Sequence, residues 1–217
     1  MKKKHDKQIQ KKVYKFFKSL FDFLFALNLI VLGSPIFIII ALLIKLSSRG
    51  PIFYFQERIG RNNNSFYCIK FRTMHPEADD ILENILTNNE NLRQEFKATH
   101  KIKNDPRVTN IGKILRKTSL DELPQFINVL KGEMSIIGPR PIVGEEKVKY
   151  GVNLNKILSI RPGISGLWQV SGRNNLTYKK RISLDLIYVN QYNFRMDLII
   201  LIRTFGVILF PLDRGAY

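Results

Sequence analysis

Asp121 and Glu122 stand side by side within residues 116–141, RKTSLDELPQFINVLKGEMSIIGPRP, among Arg116, Lys117, Lys131 and Arg140. Cations around an acidic pair keep both carboxylates ionised at neutral pH, and they also gather polyanionic substrates. An ionised carboxylate held beside a bound phosphate is a nucleophile candidate. The same letters also spell a capping box, Ser119-Leu120-Asp121-Glu122, in which the acids only complement a helix dipole. Pro124 argues for the first reading. It steers Leu123 away from helical geometry, so a helix starts at Pro124 and the carboxylates sit on an irregular turn at its mouth.

Other cations fall where they could meet a phosphate. Lys70 and Arg72 share one face of a strand by period-2 alternation. Arg140 lies between Pro139 and Pro141, which fix the backbone around it and reduce the entropy lost on binding an anion. The loop Arg161–Arg173, RPGISGLWQVSGR, is punctuated by glycines that can cradle a phosphate, but its spacing fits neither a P-loop nor a dinucleotide fingerprint. Trp168 within it reads as core rather than as a stacking platform.

The elements that must position these residues begin with a membrane segment. A lysine-rich stretch over residues 1–18 precedes an apolar run from Leu20 to Leu46, long enough to cross a bilayer. A cleavable signal peptide fits poorly. Basic residues flank the run on both sides, with Lys45, Arg49, Arg58 and Arg61 after it, so both ends prefer the cytoplasmic side. Ser34-Pro35 near its middle breaks helical hydrogen bonding. A re-entrant helix-break-helix accommodates both facts better than a kinked span, with Asp22 and Asn28 turned toward headgroups or protein. Beyond it, Ile52–Phe55 and Phe66–Ile69 form a hairpin around Arg61–Asn64, and residues 77–97 form a helical hairpin. Residues 178–192 form an amphipathic helix with Asp185 near its apolar side. Leu198–Leu212, broken by Arg203 and Pro211, suits an interfacial helix. The fold class is therefore α+β: a basic tail (1–18), a re-entrant membrane helix (19–47) and a small cytosolic α/β catalytic domain with interfacial helices (48–217).

Thirty-five basic against 18 acidic residues give a net charge of +17 and call for an anionic partner. One cysteine, Cys68, excludes an internal disulfide framework, and the three scattered histidines, His5, His75 and His100, have no metal-ligand spacing. A membrane-tethered nucleic-acid-binding protein would share this charge, but the basic residues beyond the tail are spread among loops without a binding motif. Nucleic acid is therefore not an expected partner. A non-catalytic scaffold of a glycan assembly complex is a second alternative, opposed by the intact Asp121-Glu122 pair.

KFRTM, NDPRVTNIGKILRKTSLDELPQFINVLKGEMSIIGPRP and RPGISGLWQVSGR resemble the bacterial sugar transferases, the monotopic phosphoglycosyl transferases, from about residue 20 to the C-terminus. The LWQVSGR stretch and the terminal Gly215-Ala216-Tyr217 resemble the members that transfer galactose or glucose 1-phosphate. The resemblance implies a Ser34-Pro35 membrane break, a catalytic Asp121-Glu122 dyad and a Pro139-Arg140-Pro141 element. It implies a UDP-sugar donor and undecaprenyl phosphate acceptor at the cytoplasmic leaflet of the bacterial inner membrane, in initiation of surface polysaccharide assembly. By the same resemblance Asp121 is the nucleophile, forming an aspartyl-phosphosugar intermediate, and Glu122 helps hold Mg²⁺ or assists the incoming phosphate. Asp121 and Glu122 are the candidate metal ligands. Lys70, Arg72, Arg116 and Arg140 neutralise phosphoryl charge, and Arg173 serves the nucleotide end. A homo-oligomer is compatible with this reading.

Overall fold

The computed structural model describes residues 2–99, 102 and 104–209, with side chains except at 2–12, 95, 97–99, 174, 208 and 209. His100, Pro211, the terminal Gly215-Ala216-Tyr217 and the side chains of His5 and the first lysines lie outside the described residues.

Helix α1 runs Lys2–Ser47 and contains Pro35. The expected interruption at Ser34-Pro35 does not end the helix, because proline deletes one N–H while the bonds of the flanking turns persist. Most of its apolar surface is uncovered, with Val31 60%, Leu32 77% and Leu46 84% exposed. The covered residues are few and fall on both sides of Pro35. Ala26 joins a core with Phe126, Met134 and Ile136. Ile40 and Ile44 join a second core with Phe71 and Leu115.

Polar side chains fix the first half of α1 in register. Asp22 is buried; its oxygens accept from Ser135 Oγ at 2.7 Å and Ile136 N–H at 3.3 Å. Lys18 and Tyr14 reach Asp197 Oδ2 at 2.6 and 2.5 Å. Asp22 thus faces protein, whereas Asn28 donates back to the Leu24 carbonyl at 2.8 Å.

Strands β1 (Phe53–Ile59) and β2 (Ser65–Phe71) pair antiparallel, with Tyr54 opposite Lys70 and Ile59 opposite Ser65. Their connection uses the left-handed residues Asn62 (φ 57°) and Asn63 (φ 65°), a conformation asparagine tolerates. Cys68 in β2 is a buried free thiol. Helices α2 (Ala78–Asn88) and α3 (Glu90–Thr99) form the expected helical hairpin, but α2 buries no residue, so this hairpin lies on the surface.

Helix α4 (Asn110–Thr118) is capped by Thr109, whose Oγ1 accepts from Gly112 N–H at 2.9 Å. Gly112 is required here, because a Cβ would stand 2.0 Å from the Thr73 carbonyl oxygen. A single 3₁₀ turn, Leu120–Glu122, then leads into α5 (Gln125–Leu130). Parallel strands β3 (Ser135–Ile137) and β4 (Gly163–Ser165) follow, separated by short helices α6 (Lys147–Tyr150) and α7 (Leu154–Ile157). A Cβ on Gly163 would stand 2.1 Å from Gly138 N, so this glycine serves backbone packing rather than the expected phosphate cradle. Helix α8 (Tyr178–Gln191) closes the domain, and α9 (Phe194–Leu209) buries Ile200 while exposing Phe194, Leu198, Ile199, Ile202 and Phe205.

Asn128 on α5 joins α5 to the outer edge of β2. It is fully buried, accepts from Ile69 N–H at 3.0 Å, and donates to Tyr67 O and Glu133 Oε2, each at 2.7 Å. Its amide thereby acts as one more strand unit. Asn128→Ala leaves two buried backbone groups unpaired and should cost roughly 2–4 kcal/mol, read as a lowered unfolding midpoint in detergent. An unchanged midpoint would contradict this role.

Candidate active site

The carboxylate pair sits between two helices of opposite function. Ser119 ends α4 in the left-handed region (φ 59°), and its N–H returns to the Arg116 and Leu115 carbonyls. A residue in that conformation cannot act as an N-cap, so the capping-box reading of Ser119 and Glu122 fails and no side-chain cap forms. Leu123 nevertheless adopts helical angles (φ −52°, ψ −39°). The 3₁₀ turn therefore runs directly into α5, and the expected deflection before Pro124 is absent.

Lys70 reaches from β2 to Glu122, Nζ to Oε1 at 2.7 Å. Burial opposes ionisation of Glu122, but Lys70, Arg140 and a hydrogen bond from Gln125 outweigh it, holding the carboxyl below its ordinary range. Asp121 behaves differently. Burial and the charge on Glu122 push it up to about 6, although Lys70 and Arg116 pull it down. At pH 7 its ionised form still prevails by about ten to one. Ionising Asp121 costs folding stability as pH rises through the window from 3.8 to about 6, because the folded state holds the proton there. The pair thus comprises a cation-bound carboxylate whose ionised form is favoured and a more basic, less stabilised one, which is the better nucleophile.

Four of the five expected cations gather on this pair. Lys70 bonds Glu122; Arg116 lies in the field of Asp121 and is held by Nε donating to Thr73 Oγ1 at 2.9 Å. Arg140 and Arg173 lie within electrostatic reach of Glu122. Arg140 also stands over the Trp168 ring at 5.8 Å. Trp168 is 5% exposed and belongs to the core, as its sequence reads.

Arg72 is placed elsewhere. Its guanidinium donates to the Ser48 and Arg49 carbonyls, each at 2.8 Å, and to Ser48 Oγ at 2.9 Å. Strand β2 ends at Phe71, so the shared face ends before Arg72, which instead binds the carbonyls just past the carboxyl end of α1. Arg58 was legible only as a flanking charge of that segment, yet it is buried. It donates to Gln56 Oε1 at 2.6 and 3.1 Å and to the Pro141 carbonyl at 3.2 Å. It holds the Pro139-Arg140-Pro141 turn against β1, assisted by Ile59 N–H bonding Ile142 O at 2.7 Å. Gln125 and Asn128 were likewise missed, since buried amides carry no periodic signal.

No group of three or more His, Cys, Asp or Glu side chains gathers as a metal cluster among the described residues. Two adjacent carboxylates nevertheless suit Mg²⁺, which keeps several waters and takes further ligands from substrate phosphates. In the metal-free protein, a carbon-13 titration of Asp121 should show a midpoint near 6, moving upward in Lys70→Met. A midpoint near that of an ordinary aspartate would contradict the assigned environment.

The chain as a whole is similar to known proteins. Residues 13–211 match the family described as bacterial sugar transferase. The exopolysaccharide production protein ExoY of Rhizobium meliloti (strain 1021) is 45% identical over 200 residues, covering 92% of this chain and 88% of that one. The UDP-galactose-lipid carrier transferase of Erwinia amylovora is 42% identical over 203 residues, 94% of this chain and 42% of that protein. The undecaprenyl-phosphate galactose phosphotransferase of Salmonella typhimurium (strain LT2) is 40% identical over 209 residues, 96% of this chain and 43% of that protein. The chain therefore spans most of the first relative and less than half of the other two. With a match across nearly its whole described length, the chain is an enzyme of the bacterial sugar transferase family.

Proposed function

We propose that this enzyme transfers a hexose 1-phosphate from a UDP-sugar to undecaprenyl phosphate, through a covalent intermediate on Asp121, to initiate surface polysaccharide assembly. The observation that carries the reading is the division of the dyad: Lys70 is bonded to Glu122, while Asp121 holds the more basic carboxylate. The names of the Erwinia and Salmonella relatives, a galactose-lipid carrier transferase and an undecaprenyl-phosphate phosphotransferase, support the donor and acceptor classes.

In the first step an Asp121 oxygen attacks the sugar-bearing phosphorus. The bond from that phosphorus to the bridging oxygen breaks, and UMP leaves with the electron pair. An oxygen of the lipid phosphate then attacks the same phosphorus and expels the Asp121 carboxylate, giving a polyprenyl diphosphate sugar. Arg116, Arg140 and Lys70 offset charge on the phosphoryl oxygens, and Arg173 serves the nucleotide end. Mg²⁺, when bound by Asp121 and Glu122, neutralises diphosphate charge. Arg72 supports the site from the helix end rather than as a direct ligand.

The acceptor's lipid tail keeps its phosphate at headgroup depth, so the site must stand at the membrane surface. Residues Val13–Ser47 suffice by length and composition to cross a bilayer. Yet the domain contacts α1 on both sides of Pro35, through Lys18, Asp22 and Ala26 before it and Ile40 and Ile44 after it. One polar domain cannot lie on two sides of a bilayer. This supports a re-entrant helix (19–47) bent at Ser34-Pro35, in a monotopic protein on the cytoplasmic face of the bacterial inner membrane. The basic stretch 1–18 would rest on anionic lipid and the apolar face of α9 on the interface.

Asp121→Asn should reduce UMP release from UDP-sugars by about a thousandfold or more while the protein stays in the membrane. Unchanged turnover would remove Asp121 as the nucleophile. For topology, single cysteines at positions 10 and 50 should both react with an impermeant reagent from the cytoplasmic side; labelling from opposite sides would overturn the re-entrant arrangement.

A further inference from the structure

Arg181, in the first turn of α8, has no part in the chemistry above. Its guanidinium stands over the Trp168 ring at 4.9 Å, and that of Arg140 stands over the same ring at 5.8 Å. Three separate parts of the chain build this arrangement. Gly138 N–H bonds the Ser165 carbonyl at 2.9 Å and Gly163 N–H bonds the Pro139 carbonyl at 2.8 Å, so the segment leading to Trp168 is laced to the turn that carries Arg140. Gly166 continues the close approach, since a Cβ there would lie 2.3 Å from the Gly138 carbonyl oxygen. Arg173 N–H returns to the Trp168 carbonyl at 3.3 Å from the left-handed region (φ 50°), where residues other than glycine are uncommon and cluster at functional sites. On the α8 side Thr177 caps the helix, and Arg181 Nε donates to the Leu176 carbonyl at 3.1 Å.

Two like charges held against one ring repel, and partial burial removes the water that would screen them. Burial first, then the charge on Arg140, lowers the Arg181 guanidinium from its ordinary value. Among the described residues Arg140 forms no ion pair. Glu146, whose charge partly offsets this at Arg181, spends one oxygen accepting from Val143 N–H at 3.0 Å. An anion held by both guanidiniums would turn their repulsion into joint attraction. Stacking on an indole uses the plane of a guanidinium rather than its N–H edge, and the edge is what grips phosphate oxygens. Trp168 is 5% exposed, so its ring supports the cations and is closed to a uracil base.

We propose that Arg140 and Arg181, seated on Trp168, form a binding site for a phosphate monoester, with Arg181 as its second guanidinium. The proposed phosphosugar transfer supplies two such groups, the phosphate of UMP leaving the donor and the phosphate of the lipid acceptor. Only the choice between these two sources rests on that reading.

Binding is measured by calorimetry on the full chain in detergent micelles without metal, using UMP, uridine and a polyprenyl phosphate. The emission of Trp168, the chain's single tryptophan, is read in the same titrations. At least one of the two phosphates should bind with a change in emission, and Arg181→Gln should raise its Kd about tenfold or more. An effect on UMP places the leaving nucleotide at the site, and an effect on the polyprenyl phosphate places the acceptor there. Neither phosphate binding, an unchanged Kd in Arg181→Gln, unchanged emission, or uridine binding as tightly as UMP would each overturn the proposal. Should the Gln variant fail to fold, Arg181→Lys carries the same measurement, because it keeps the charge and loses the planar fork; failure of both marks Arg181 as structural and also overturns it. Arg181-dependent UMP binding in an enzyme that releases no UMP from any UDP-sugar would keep the site and remove the transfer reading.

Discussion

Two adjacent carboxylates cannot share one environment and do different work, and the Lys70–Glu122 ion pair is what separates them. The lysine neutralises one member, and burial beside that charged neighbour makes the other more basic. Much of the domain can be understood as the means of bringing a β2 side chain to a turn 52 residues later in the chain. Asn128 ties β2 to α5, so the strand and the helix after the dyad move together. Gly112 lets α4 approach the Thr73 backbone, which sets Arg116 beside Asp121. The left-handed Ser119 then ends α4 abruptly and leads the chain into the 3₁₀ turn that carries the carboxylates.

The same logic connects the site to the membrane helix. Arg72, two residues beyond Lys70, grips the carbonyls at the end of α1, so the strand that charges the dyad also holds the anchor. At the other half of α1, Asp22 and Asp197 form polar contacts that fix its register against β3, α8 and α9. Polar groups of this kind are costly on an apolar helix unless paired, so they specify one docking position. The domain is thereby held to α1 by fixed contacts and not by a flexible tether.

Much of this was legible in the sequence because it had a local signature. The dyad stood out as acid within base, the hairpin by strand alternation and its asparagine turn, and Trp168 as a core residue. What was illegible depended on chain geometry at long range. Arg72 shares a strand face with Lys70 on paper, but the strand ends first, and the guanidinium turns to α1. Arg58 looked like a membrane flank and proved to be an internal brace for Pro141. Gly163 suggested a phosphate loop, whereas it lets its backbone touch that of Gly138. Ser119 and Glu122 matched a capping motif whose backbone angles were claimed by the preceding helix.

The division of the dyad makes a chemical statement about which oxygen becomes bonded to phosphorus. Mass spectrometry of peptides from enzyme mixed with its UDP-sugar, without the lipid acceptor, reads that directly. The account predicts a phosphohexose on Asp121 that disappears when undecaprenyl phosphate is added. An adduct on Glu122, or turnover with no protein adduct under conditions that preserve acyl phosphates, would contradict it.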